Sequence, residues 1–100
     1  MDVHDKVCII TGSARGLGKA FSKILLNNGA KVCISDLQES VTIETANELR
    51  KNYGIDRVCH VVCDVTKEDQ FRNLFNETEK YFDVPCVDIL VIITVSPNFE

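Results

Sequence analysis

The sequence has no tryptophan, one methionine, two prolines and no apolar run long enough to cross a bilayer. The longest apolar segment, Val84 to Val95, spans 12 residues and contains Pro85 and Asp88, against the roughly 20 that a membrane helix requires. It reads as a buried strand, and no membrane partner is expected. There is no Cys-x-x-Cys pair, no histidine cluster and no Gly-Lys-Ser/Thr triplet, since Gly18-Lys19 is followed by Ala20. Zinc-site and P-loop readings therefore find no support. Positive charge is also scarce: 11 Lys and Arg against 15 Asp and Glu, net −4, which excludes the basic footprint of a nucleic-acid binder. No linker or low-complexity tract divides the 100 residues, so one domain or part of one is expected.

Five cysteines are present, Cys8, Cys33, Cys59, Cys63 and Cys86. The number is odd and four lie in apolar runs, where cysteine packs as a small hydrophobe, so no metal site and no disulfide framework is expected. His4 and His60 are read as structural. The leader Met1 to Lys6 is polar and charged, unlike a secretory signal, and a cytoplasmic location is expected.

The informative stretch is Thr11-Gly12-Ser13-Ala14-Arg15-Gly16-Leu17-Gly18, which follows the apolar run Lys6 to Ile10 and opens a helix-patterned segment. A strand that delivers the chain to a helix N-terminus presents free N–H groups and a positive dipole end, which favour a diphosphate. Glycine keeps that approach clear and tolerates positive φ. Gly12, Gly16 and Gly18 are read as admitting the diphosphate, with Ser13, Ala14, Arg15 and Leu17 lining the same turn. Asp36 ends the next apolar run, 20 residues beyond Gly16. A carboxylate there accepts hydrogen bonds from the adenosine ribose hydroxyls and repels a 2′-phosphate, and the adjoining Leu37 offers no compensating charge. NAD is thus favoured over NADP.

Four apolar runs, approximately Lys6–Thr11, Lys31–Asp36, Arg57–Asp64 and Val87–Thr94, alternate with three helix-patterned segments. Near-continuous Val, Ile and Cys in each run suits parallel strands covered on both faces. Helix one is expected to bury Leu17, Ala20, Phe21, Ile24 and Leu25, with Gly29 as its stop. Helix two, about Gln38 to Tyr53, should turn Val41, Thr45, Ala46 and Leu49 inward. In helix three, Thr66 and Asp69 suggest a capping box, and Phe71, Leu74, Phe75 and Thr78 should be core. Right-handed crossovers then give an α/β, doubly wound, Rossmann-type parallel sheet in the order βαβαβαβ, with strand order 3-2-1-4 and a nucleotide crevice at the switch point between strands one and four.

Thr11-Gly12-x-x-x-Gly16-x-Gly18, Asp36, Cys63-Asp64-Val65 and Asp88-Ile89-Leu90-Val91 together resemble the classical short-chain dehydrogenase/reductases, over essentially the whole chain. The resemblance implies that Asp64 hydrogen-bonds the adenine amino group, that the Val65 N–H reaches a ring nitrogen, that Cys63 belongs to the same adenine end, and that Asp88 supports the sheet. A basic residue at Arg15 resembles the NADP-preferring branch; Asp36 is expected to outweigh it. Within the family, Gly16 to Phe21, Gly29 to Val32, Cys63 to Val65 and Asn98 to Glu100 look most like the 15-hydroxyprostaglandin dehydrogenase group.

The resemblance implies an NAD-dependent oxidoreductase of secondary alcohols or ketones, homo-oligomeric at full length. Members resembling this chain run to about two and a half times its length and carry a catalytic Ser and a Tyr-x-x-x-Lys pair. Tyr53 is followed four residues on by Arg57, and Tyr81 by Pro85, so no catalytic residue is assigned here. Where the family has Asn-Asn-Ala-Gly, this chain has Ile92-Ile93-Thr94-Val95. The chain is therefore expected to be the N-terminal, dinucleotide-binding portion, 1–100, of an incomplete sheet, inactive and poorly soluble alone. The alternative is a non-catalytic short isoform that binds nucleotide or modulates full-length subunits.

Overall fold

The structure, a computed structural model, describes residues 2–93. Its elements are β1 (Val7–Thr11), α1 (Gly16–Asn27), β2 (Lys31–Asp36), α2 (Glu39–Tyr53), β3 (Val58–Val62), α3 (Glu68–Phe82) and β4 (Ile89–Ile92). The strands form one sheet in the order β3-β2-β1-β4, and every pairing is parallel. This is the α/β, doubly wound order expected. All five residues of β1 are buried, as a central strand covered on both faces must be. Burial weakens outward, and β4 alternates between half-buried and exposed.

One face of the sheet packs Cys8, Ile10, Val32, Ile34 and Val58 against Leu25 and Leu26 of α1 and Ala46 and Leu49 of α2. The other packs Val7, Ile9, Cys33 and Cys59 against Leu74 and Phe82 of α3. Two helices on one side and one on the other follow from the strand order. The cysteines are all free, with Cys86 exposed and the other four buried. Burial, with the charge of Asp88 adding to it, pushes the Cys8 thiol up to about 11. Cys59 faces Cys33 across the ladder, and its hydrogen bond with the Cys33 thiol together with burial drives its pKa above the ordinary thiol range. These thiols act as small core side chains.

Helix α1 sits at a different rotation from the one its apolar spacing predicts, with only Leu25 of the expected stripe buried, whereas α2 and α3 largely keep theirs. In α1 the buried residues are Gly18, Ser22, Leu25 and Leu26, while Leu17 is 72% and Ile24 58% exposed; Ala20 and Phe21 also face outward. The cause lies at Gly18, where a Cβ would stand 2.2 Å from the Gly12 carbonyl oxygen. That backbone approach fixes which side of α1 meets the sheet, and positions four, seven and eight residues on follow it inward. In α2, Thr42 is buried beside Thr45, Ala46 and Leu49, and Val41 is only half-buried. In α3, Leu74 and Thr78 are buried as expected. Phe71 and Phe75 pack edge to face with centroids 5.3 Å apart and remain half-buried.

The expected capping box is absent. Lys67 occupies the cap position of α3 without a side-chain bond, because the Thr66 hydroxyl donates to Asp64 Oδ1 at 2.6 Å instead. Other side chains tie the sheet, Asp88 among them as the resemblance implies. Asp88 Oδ2 accepts from the Val7 N–H at 2.8 Å, and Thr11 Oγ1 accepts from the Ile93 N–H at 3.2 Å. Arg57 donates to the carbonyl of Leu26 in the last turn of α1 and to that of Ala30 just before β2. Strands three and four are shorter than the apolar runs suggest; Thr94 and Val95, and with them part of the Asn-Asn-Ala-Gly position, lie outside the described residues.

Candidate nucleotide-binding site

The turn between β1 and α1 is built by backbone approach. Gly12 adopts φ +66 and a Cβ on it would lie 2.5 Å from the Ile93 carbonyl oxygen, so only glycine fits between β1 and the end of β4. Gly16 adopts φ +61, and a Cβ there would meet nothing within 4 Å. It faces open space, which is where a ligand would approach. Ser13 anchors the turn from beneath: its Oγ donates to the Ile10 carbonyl at 2.6 Å and accepts from the Ser35 N–H at 2.8 Å.

Above the turn lies a crevice of about 620 Å³ over the C-terminal ends of β1, β2 and β3. It is lined by Gly12, Arg15, Gly16, Leu17 and Gly18 from the turn, Asp36 and Leu37 from the end of β2, and Cys63, Asp64 and Val65 from the end of β3. Ten of the twelve residues that the sequence nominates thus surround one cavity. Ser13 and Ala14 are buried behind it and contribute backbone and anchoring rather than lining. Thr11, Thr66 and Ile93 complete the wall. The sequence marks Thr66 only as a helix cap and Ile93 only as part of the segment standing where the family has Asn-Asn-Ala-Gly, and nominates neither for the crevice.

Asp36 is held before any ligand arrives. Its Oδ2 accepts from the Ala14 N–H at 3.2 Å and its Oδ1 from the Leu37 N–H at 2.7 Å. Each oxygen keeps further acceptor capacity, since an ionised carboxylate has about four lone-pair sites. Asp64 Oδ1 takes both the N–H (3.0 Å) and the hydroxyl of Thr66. Those two bonds hold the Asp64 carboxyl below its ordinary pKa, with Lys67 helping. Its Oδ2 has no donor among the described residues. Burial raises the Cys63 thiol, and Asp64 beside it raises it further, so the crevice wall carries a neutral thiol there.

The chemistry of this cavity is anisotropic. One end offers unpaired N–H groups at the start of α1, where no side chain caps the helix and no acid lies in the first turn. The other offers two carboxylates with acceptor capacity left over: the remaining lone pairs of Asp36 and the Oδ2 of Asp64. A ligand with anionic groups at its middle and hydroxyl or amino donors at one end matches both.

The family model described as short chain dehydrogenase matches residues 6–94. The chain belongs to this family. Zerumbone synthase of Zingiber zerumbet is 35% identical over 92 residues, covering 91% of this chain and 32% of that protein. The 15-hydroxyprostaglandin dehydrogenase [NAD(+)] of Mus musculus is 35% identical over 91 residues, covering 91% and 33%. The crystal structure of a short chain dehydrogenase/reductase from Burkholderia phymatum in complex with NAD superposes with a TM-score of 0.81 at 28% identity, over 90% of this chain and 31% of that one. The chain therefore spans about a third of the length of the curated relatives it matches. It is a family member by sequence and by fold, and the family is one of oxidoreductases.

Proposed function

We propose that this chain forms the dinucleotide half-site of an oxidoreductase acting on a secondary alcohol or ketone, and that it prefers NAD to NADP. The observation that carries this reading is the Asp36 carboxylate, which lines the crevice and is held by two backbone N–H groups. In that position it accepts from the ribose hydroxyls of an adenosine and repels a 2′-phosphate. Gly12, Gly16, Gly18 and the N–H groups of Arg15 to Gly18 take the diphosphate; Asp64, Val65 and Cys63 take the adenine.

Residues 1–100 on this reading are the N-terminal cofactor-binding portion, and hydride transfer requires groups that these residues do not supply. Neither Tyr53 nor Tyr81 has a lysine four residues on. The mouse relative's name favours a 15-hydroxyprostaglandin dehydrogenase-like activity for the whole protein. Zerumbone synthase is equally similar, so these residues define the cofactor more than the substrate. Free cysteines throughout suit a reducing cytoplasm.

The test is a calorimetric titration with NAD and NADP of the wild-type chain and of Asp36→Ala. NAD binding is expected to be tighter than NADP binding. Removing a charged hydrogen-bond acceptor costs about 1.5–3 kcal/mol, so Asp36→Ala should weaken NAD by roughly 10- to 100-fold while NADP changes little or improves. Equal affinity for both dinucleotides, unaffected by the substitution, would refute the assignment of Asp36.

A further inference from the structure

Three threonines on the helices are buried, and two of them behave alike. Thr42 Oγ1 donates to the Gln38 carbonyl and Thr78 Oγ1 to the Leu74 carbonyl, each four residues back in its own helix. That is the usual fate of a helical hydroxyl. Thr45 does otherwise: its Oγ1 leaves α2 and donates to the carbonyl of Ala14 in the glycine turn. Thr45 and Ala14 are 3% and 2% exposed, and Thr45 does not line the crevice.

This bond has a consequence on the far side of the peptide plane. In a trans peptide the carbonyl and the following N–H point in opposite directions, and no cis peptide occurs among the described residues. Fastening the Ala14 carbonyl toward α2 therefore aims the Arg15 N–H away from α2, on the side where Arg15 lines the crevice. No described residue accepts from that N–H, nor from the N–H groups of Gly16, Leu17 and Gly18. The other peptide group of Ala14 is fastened too, through its N–H to Asp36 Oδ2. Ala14 is thus clamped between the tip of β2 and the face of α2.

We propose that Thr45 is a positioning residue for the bound dinucleotide: from behind the turn it sets the Ala14–Arg15 peptide plane, and with it the donor offered to the phosphates, and by holding Ala14 it steadies the adjoining Ser13–Ala14 peptide, whose N–H orients Asp36. The proposal rests on the reading that the crevice takes an adenine dinucleotide. It adds a residue of α2 that has no contact with the ligand and that the glycine pattern does not mark.

The experiment compares wild type, Thr45→Val, which keeps the shape and removes the hydroxyl, and Thr45→Ser, which keeps the hydroxyl. NAD affinity is read by calorimetry and amide hydrogen exchange is read residue by residue by NMR. Thr45→Val is expected to weaken NAD by about five- to tenfold, the worth of one hydrogen bond of about 1 kcal/mol or slightly more. It should also speed exchange at Ala14 by a similar factor while Ile9 and Ile34 in the central strands stay protected. Thr45→Ser should restore both. A folded Thr45→Val with wild-type NAD affinity and wild-type exchange at Ala14 would overturn the proposal. So would a uniform loss of protection across Ala14, Ile9 and Ile34, which marks Thr45 as core filling only. If wild type binds no NAD, the proposed function fails instead; the Ala14 exchange of Thr45→Val against Thr45→Ser still decides whether Thr45 holds the turn.

Discussion

Two glycines of the turn make opposite demands at the residue scale. A methyl on Gly18 would be driven to 2.2 Å from the Gly12 carbonyl oxygen and 2.8 Å from the Ser13 Cα, all backbone that cannot swing aside. A methyl on Gly16 would meet no neighbour and suffers only from φ +61, a cost of about 1–2 kcal/mol for a residue with a Cβ. Gly18→Ala should therefore cost about 3 kcal/mol or more, at the top of the range for overpacking, and lower the melting temperature by over about 10 °C. Gly16→Ala should melt roughly 5–10 °C below wild type, a smaller drop than for Gly18→Ala, while losing dinucleotide affinity, because its methyl projects toward the ligand's side. Thermal unfolding followed by NAD titration separates the two; equal melting temperatures would contradict the packing role of Gly18. The glycines, Asp36 and Asp64 were legible because each leaves a residue type at a fixed spacing. The Ala14 N–H to Asp36 bond was not, since a backbone donor writes nothing into the sequence. Thr45 was read as an inward-facing residue of α2, its contact with Ala14 hidden because it joins elements 31 residues apart.

At the scale of elements, β3 is the outer strand on its side of the sheet, and outer strands expose backbone groups that invite pairing. Here Arg50 of α2 covers that strand. Its Nε donates to the Val58 carbonyl at 3.1 Å, its Nη2 lies 2.9 Å from His60 Nδ1, and its guanidinium sits 6.0 Å from the centre of the Tyr81 ring of α3. His60 must accept from Arg50, which requires a neutral ring with Nδ1 unprotonated. Burial first and the Arg50 charge second lower the His60 pKa below its ordinary 6.5, with Glu39 opposing weakly. A histidine whose folded pKa is depressed binds fewer protons folded than unfolded. Stability is then full above the unfolded value and falls as pH drops below about 6.5. The loss should stay under about 1 kcal/mol, because the ring is partly solvated. Urea unfolding between pH 7.5 and 5 should show this slope in wild type and lose it in His60→Gln; an unchanged slope would acquit His60. The parallel sheet, its order and all three helices were legible from alternating apolar periodicities. The setting of α1 was not, because Leu17, Phe21 and Ile24 satisfy a helical spacing as well as Ser22, Leu25 and Leu26 do. The Gly18 contact chooses between the two stripes, and only the assembled turn reveals it.

The two ends of the sheet differ when the molecule is taken whole. Arg50 and Tyr81 crowd β3, whereas among the described residues nothing pairs with the outer side of β4. Its residues alternate half-buried and exposed, with Leu90 and Ile92 exposed. Ile89, Val91 and Ile93 pack against the cluster shared with α1 and α2. The alternation therefore leaves Leu90 and Ile92 to the α3 side of the sheet, where Phe71, Phe75 and Phe82 cluster with the inner strands rather than with β4. On α1, Leu17, Phe21 and Ile24 add apolar exposed surface. An open parallel edge with apolar side chains beside it is a template for association. A chain of these 100 residues should accordingly associate as its concentration rises, measured by sedimentation from micromolar upward. Leu90→Lys with Ile92→Lys should suppress association, since both lie outside the buried core and lysine is a natural guard of free edges. Were wild type to stay monomeric across that range and melt in one sharp transition, four strands and three helices would suffice as a domain. The expectation of an incomplete sheet would then be wrong, even though Cys8, Ile9, Ile10, Val32, Cys33 and Ile34 are sealed from solvent within the described residues. Their burial is what permits the nucleotide crevice to form on β1 and β2 whatever happens at β4, so dinucleotide binding should survive the double lysine substitution.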